Sequence, residues 1–124
     1  MALPNRVYAN ARVLSPQGRL DHDNCEAFRA ELAPHLDASA REQQTVVLDL
    51  SGLEYVSSAG LRCFMLAAKE ASARNSALVV AAMQPVVAEI FQISRFTMVF
   101  KVFRTIREAL AAVSPQAAEA FDRS

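Results

Sequence analysis

The chain has 124 residues, 52% of them hydrophobic: one ordinary domain's worth of sequence with enough apolar material for a core. Lysine plus arginine and aspartate plus glutamate each number 13, so the formal net charge is zero and nothing electrostatic points to nucleic acid or an anionic membrane. No apolar run approaches the ~20 residues that span a bilayer, no signal-like stretch follows Met1, and the expected setting is soluble, reducing and cytoplasmic.

In chain order, Val7–Tyr8 and Val13–Leu14 mark two short strands that pair antiparallel; Pro16 suits an edge or the end of the second, and Gly18 marks a turn or bulge near that end. Asp21, His22, Asp23 and Asn24 are a cluster of helix-start residues. Phe28, Leu32 and Leu36 follow at four-residue spacing as the stripe of a first helix, and Pro34 should kink it or begin its end. Cys25 and Cys63 lack CxxC spacing and read as reduced, structural residues.

"TVVLDL", residues 45–50, is β-branched and nearly continuous in apolar residues, as in a central strand covered on its faces. A Ser57-Ser58-Ala59-Gly60 turn leads to a second helix, whose inner face is expected to carry Leu61, Phe64, Met65, Ala68 and Ser72 until Asn75 and Ser76 stop it. "ALVVAAM", residues 77–83, is another buried strand, and Pro85 opens a third helix lined by Val87, Ile90, Phe91 and Ser94. "VFKVF", residues 99–103, is a last strand. Thr105 and Glu108 form a capping-box pair before a terminal helix with Ile106, Ala109, Leu110 and Val113 inward. The tail after Ser114 reads as polar and weakly packed. Alternating strands and helices from Leu20 onward predict an α/β fold with parallel crossovers. There is no linker, repeat or second domain.

The chemistry-bearing residues are few. His22 and His35 are the only histidines, no G-x-S-x-G elbow occurs, and a Ser-His dyad has little to stand on. Gly60 stands alone, without a P-loop or G-x-G-x-x-G, so no nucleotide cofactor is expected. Asp21, His22 and Asp23 are a helix start rather than a metal set. The serine pair remains. Ser57 or Ser58 caps the second helix, and a phosphate there would meet free backbone N–H groups and the positive end of the helix dipole. It would also bring nearly two negative charges to a neutral surface.

Three segments carry a resemblance to a known family: "GRLDHDN" at residues 18–24, "VVLDLSGLEYVSSAGLRCFMLAAK" at 46–69, and "MQPVVAEIFQISRF" at 83–96. Over about residues 7–113 the chain resembles the STAS family, and within it the single-domain bacterial anti-sigma factor antagonists. The resemblance implies a STAS fold with a four- to five-stranded, mostly parallel sheet, an antiparallel edge strand and about four packed helices, in one domain over residues 1–124 with 114–124 as a tail. It implies a phosphorylatable binding module rather than an enzyme, without metal or cofactor. Its partners would be a GHKL-type serine kinase that doubles as anti-sigma factor and a PPM-type phosphatase; nucleic acid and membrane are not implied.

By this likeness Ser58 is the phosphoacceptor and a helix cap, with Ser57 the second candidate, standing where the family often has aspartate. Ala59 stands where a second small hydroxyl residue is common, Arg95 where a glycine is common, and Asp21 matches the acid near the switch serine. The docking surface is expected to comprise Asp21, Ser57, Ser58, Ala59, Gly60 and Arg62. The alternative is a STAS accessory subunit of a membrane lipid-transport ATPase.

Overall fold

The computed structural model describes residues 3–124. The elements run β1 (Asn5–Tyr8), β2 (Ala11–Leu14), β3 (Gly18–Leu20), α1 (Cys25–Arg41), β4 (Thr45–Asp49), β5 (Leu53–Val56), α2 (Ser58–Ala73), β6 (Ala77–Ala81), α3 (Pro85–Ile93), β7 (Val102–Phe103), α4 (Ile106–Val113) and α5 (Pro115–Arg123). A five-stranded sheet has the order β1-β2-β4-β6-β7. Only β1 runs antiparallel, against β2. The expected α/β architecture is present, with five α-helices among the described residues.

The apolar run of β4 follows from its central place, because both of its faces are covered. Val46 and Leu48 enter one core with Phe28 of α1 and Phe64 of α2, while Val47 enters another with Ala109 and Leu110 of α4. In the first core Phe28, Phe64 and Phe91 meet edge to face, at centroid distances of 5.7 and 5.5 Å.

Several expectations are corrected. Gly18 does carry an irregularity, a register shift, but inside a further strand: it begins β3, which pairs in parallel with β5 as a separate two-stranded ribbon. Pro34 does not end α1, which continues to Arg41. The helix bond lost at Pro34 would have ended on the carbonyl of Ala30, an exposed residue whose carbonyl water can satisfy. The stripe of α2 is rotated: Gly60, Cys63, Phe64, Ala67 and Ala71 are buried, Leu61, Met65 and Ala68 are half-buried, and Ser72 is exposed. In α3, Val87 and Phe91 are buried, whereas Ile90 and Ser94 are half-buried.

The last strand shrinks to Val102–Phe103, preceded by a 3-10 turn at Phe96–Met98. Arg95 enters that turn at φ 60°, the left-handed conformation that glycine adopts more readily. The tail is not weakly packed. Ser114 Oγ accepts from the Ala117 N–H at 3.1 Å to cap α5, and Tyr8 and Phe121 stack edge to face. Arg107 forms a double hydrogen bond with Asp122, whose carboxyl it holds below the usual range. Of the expected Thr105–Glu108 capping box one half forms: the Glu108 N–H donates to Thr105 Oγ1 at 3.0 Å, while the Glu108 carboxylate turns to Arg104 at 3.6 Å.

The cysteines are also corrected. Cys25, the first residue of α1, and Cys63, in the second turn of α2, have Cα atoms 6.0 Å apart and sulfurs joined as a disulfide. They stand 38 positions apart in sequence, which is why spacing alone hid the pair.

Candidate functional site

The strand-to-helix junction is assembled by the β3–β5 ribbon. Leu20 is in register with Val56, so the chain leaves both strands at the same level: Asp21 on one side, Ser57 on the other. The Ser57 N–H donates to the Leu20 carbonyl at 2.9 Å and locks the junction. Gly60 lies directly over that carbonyl, and a Cβ there would collide with the Leu20 carbonyl oxygen and lie 2.9 Å from Val56 Cγ1. Glycine is required at this position because α2 crosses the backbone of β3 with no room for a side chain.

The two serines have different tasks. Ser57 is the cap: its backbone is extended, at φ −82° and ψ 175°, and its Oγ accepts from the Gly60 N–H at 3.2 Å. This corrects the assignment of the cap to Ser58. Ser58 is the first helical residue, is exposed, and has no hydrogen-bond partner for its hydroxyl among the described residues. The Ser57 carbonyl takes the Leu61 N–H. Nothing among the described residues accepts from the Ser58 and Ala59 amides, and no acid lies in the first turn of α2. The positive end of this 16-residue helix therefore carries no acid of its own beside a free hydroxyl.

Asp21 sits at the neighbouring chain level but its side chain serves α1. Its Oδ1 accepts from the Asp23 N–H at 3.0 Å, while its own N–H donates to Asn24 Oδ1 at 2.9 Å. No hydrogen bond joins its carboxylate to either serine among the described residues. His22 Nε2 and Asp23 Oδ1 lie 3.1 Å apart on the exposed surface, and the cluster works as a helix start. Arg62 is exposed, with no ion pair or hydrogen bond among the described residues. Ala59 is half-buried, and Gly60 is buried, acting from beneath.

Sequence reasoning missed the apolar flank of this site. Tyr55, Leu61, Ile90 and Ile93 line a shallow groove beside Ser58, and Ile93 is 74% exposed. The Arg19 guanidinium lies over the Tyr55 ring, 4.6 Å from its centroid. Tyr55 stands on β5, where Leu53 and Val56 are buried and Glu54 and Tyr55 both face out, so no alternation in the sequence signals it.

The geometry is thus that of a small α/β domain with a rigid strand-to-helix junction, an exposed serine and an apolar flank. Residues 8–108 match the family model described as "Mlab, STAS domain", and the chain belongs to the STAS-domain family. Within it, the chain is 44% identical over 96 residues to BtrV of Bordetella bronchiseptica, assigned as an anti-sigma factor antagonist, covering 77% of this chain and 79% of BtrV.

The fold is similar to that of an anti-sigma factor antagonist of Thermotoga maritima, at TM-score 0.78 and 19% identity over 90% of this chain and 93% of that one. It is also similar to the Bacillus anti-sigma factor antagonist SpoIIAA in its unphosphorylated form, at TM-score 0.67 and 22% identity over 90% and 96% of the two chains. Among the described residues, no helix is long and apolar enough to cross a membrane.

Proposed function

We propose that the chain is a non-catalytic anti-sigma factor antagonist of the cytoplasm, which binds an anti-sigma factor through the surface around Asp21, Ser57, Ser58, Ala59, Gly60 and Arg62, and is released when Ser58 is phosphorylated. The single observation that carries the switch is the state of Ser58: an exposed hydroxyl, unpartnered among the described residues, at the N-terminus of α2, beside a separate residue that does the capping. The kinship with BtrV supports the choice of an anti-sigma factor as partner, over the lipid-transport alternative.

The division of labour has a physical consequence. Because Ser57 holds the cap, a phosphate on Ser58 leaves the helix start intact, and the dipole and the free Ser58 and Ala59 amides favour its charge. The charge then acts on the interface, by repulsion, desolvation and bulk. The partner in this reading is a GHKL-type serine kinase, which transfers the γ-phosphoryl group of ATP to Ser58 Oγ with release of ADP and a proton. A PPM-type phosphatase hydrolyses the ester and restores the binding form. Tyr55 and Ile93 supply the apolar contact that a charged switch alone does not.

The test is capture of the bound protein by the unphosphorylated chain, incubation of the pair with ATP, and phosphopeptide mapping. Phosphate on Ser58 with dissociation of the pair is expected. Phosphate on Ser57 only, or on neither serine, refutes the assignment.

A further inference from the structure

The Cys25–Cys63 pair joins the two helices that bracket the candidate switch. Cys25 is the first residue of α1, and Cys63 is the sixth residue of α2, five beyond Ser58. Cys25 Sγ also lies 3.6 Å from the carbonyl oxygen of Ala59, which follows Ser58. As a thiol, Cys25 has that carbonyl as its acceptor; as a disulfide, it has no hydrogen to donate. Both oxidation states thus have a satisfied geometry at one place, and the Cα separation of 6.0 Å lies within the usual range for a disulfide.

The two sulfurs are not equivalent. Cys63 is fully buried, whereas Cys25 retains 9% exposure at the protein's edge. Cys25 also stands at the N-terminus of a 17-residue helix, where the dipole favours the thiolate. The Glu26 carboxylate is close to both sulfurs and opposes this, but it is paired with Arg29 at 3.2 Å. Cys25 is therefore the sulfur that meets a reagent, and Cys63 the one that resolves the product.

We propose that Cys25 and Cys63 form a reversible dithiol–disulfide site that sets the mobility of the Ser57–Cys63 segment. In the oxidising direction, the Cys25 thiolate attacks one sulfur of glutathione disulfide and displaces one glutathione thiolate, forming a mixed disulfide. The Cys63 thiolate then attacks Cys25 Sγ and displaces the second glutathione. The pair loses two electrons and two protons, and one glutathione disulfide becomes two glutathione thiols; excess glutathione reverses both steps. Closure ties the first two turns of α2 to the start of α1. Where the reading of Ser58 as phosphoacceptor holds, the closed form presents a stiffer segment to the kinase and is phosphorylated more slowly.

The test needs neither kinase nor phosphate, so its outcome is independent of the Ser58 assignment. The wild-type chain is equilibrated across a series of reduced-to-oxidised glutathione ratios, quenched in acid, alkylated and weighed, and amide hydrogen exchange is followed in the same samples. Expected is a transition between a doubly alkylated form and an unalkylated one, lighter than the unmodified dithiol by two hydrogens. Exchange of the 57–63 amides should be roughly tenfold slower in the oxidised form. Cys25→Ser and Cys63→Ser should each abolish the closed species.

Failure of the folded chain to close at any ratio, or closure without slower exchange at 57–63, overturns the proposal. So does stoichiometric retention of Zn2+ on the two thiols that blocks oxidation, which would make Cys25, Glu26 and Cys63 a metal site instead.

Discussion

Gly60→Ala separates local helix preference from tertiary placement. By propensity alone, alanine in place of a helical glycine stabilises by about 0.5–1 kcal/mol. Here the new Cβ collides with the Leu20 carbonyl oxygen, lies 3.0 Å from the Leu20 carbonyl carbon and lies 2.9 Å from Val56 Cγ1. Backbone atoms cannot rotate aside, so α2 must move away from β3. Such overpacking costs about 1–3 kcal/mol. The same carbonyl accepts the Ser57 N–H at 2.9 Å, and losing that bond adds about 1 kcal/mol. The clash wins: net destabilisation should be about 1–3 kcal/mol, and the urea midpoint should fall by about 1 M for a slope near 2 kcal/mol/M. Urea titration followed by circular dichroism measures the loss, and hydrogen exchange should show the Ser57 amide losing protection. A Gly60→Ala chain as stable as wild type, with the Ser57 amide still protected, would refute the close approach of α2 to β3 and with it the geometry of the site.

Ser57→Ala should cost about 1 kcal/mol through the lost cap, whereas Ser58→Ala should leave stability within about 0.5 kcal/mol; equal effects in urea titration would contradict the assignment of the cap. Leu48→Ala, in the fully buried centre of β4, should cost about 2–5 kcal/mol by the same assay. Arg62→Glu should leave stability unchanged and weaken anti-sigma factor binding by about 1–2 kcal/mol, measured by calorimetry; unchanged affinity would show that another face binds.

His35 has its pKa lowered by burial and by the Arg12 guanidinium, whose Nη1 is 3.3 Å from His35 Nδ1, against a smaller opposing effect of Glu31. The unfolded chain therefore takes up the proton first as pH falls below the ordinary value of 6.5. Stability should decline from there down to the folded value. His35→Gln should flatten that part of the stability profile, and an unaltered profile would exclude His35 as its source.

Much of the fold was legible because burial leaves a local trace. The run at 45–50 needed apolar residues on both faces of a central strand, and Pro85 declared the start of α3 through its ring-fixed backbone and Thr105 that of α4 through its hydroxyl. The serine pair was legible for the same reason, since a strand-to-helix turn requires small and capping residues. The sequence by itself thus determined the α/β order, the antiparallel first hairpin and the strand-to-helix turn that carries the serine pair.

Other features depend on what a residue meets across the fold, which periodicity does not encode. Leu61 and Phe64 are equally plausible core residues along an isolated helix. The approach of Gly60 to Leu20 turned the helix so that Phe64 went in and Leu61 stayed half out. Which serine caps was decided by the bond from the Ser57 N–H to Leu20, which holds Ser57 extended and leaves Ser58 helical and free. The tail looked polar because its buried alanines are small, and only the presence of Tyr8 and Arg107 gave Phe121 and Asp122 something to pack against and pair with. Cys25 and Cys63 met because α1 and α2 lie side by side, and a distance in space has no counterpart in a sequence separation of 38.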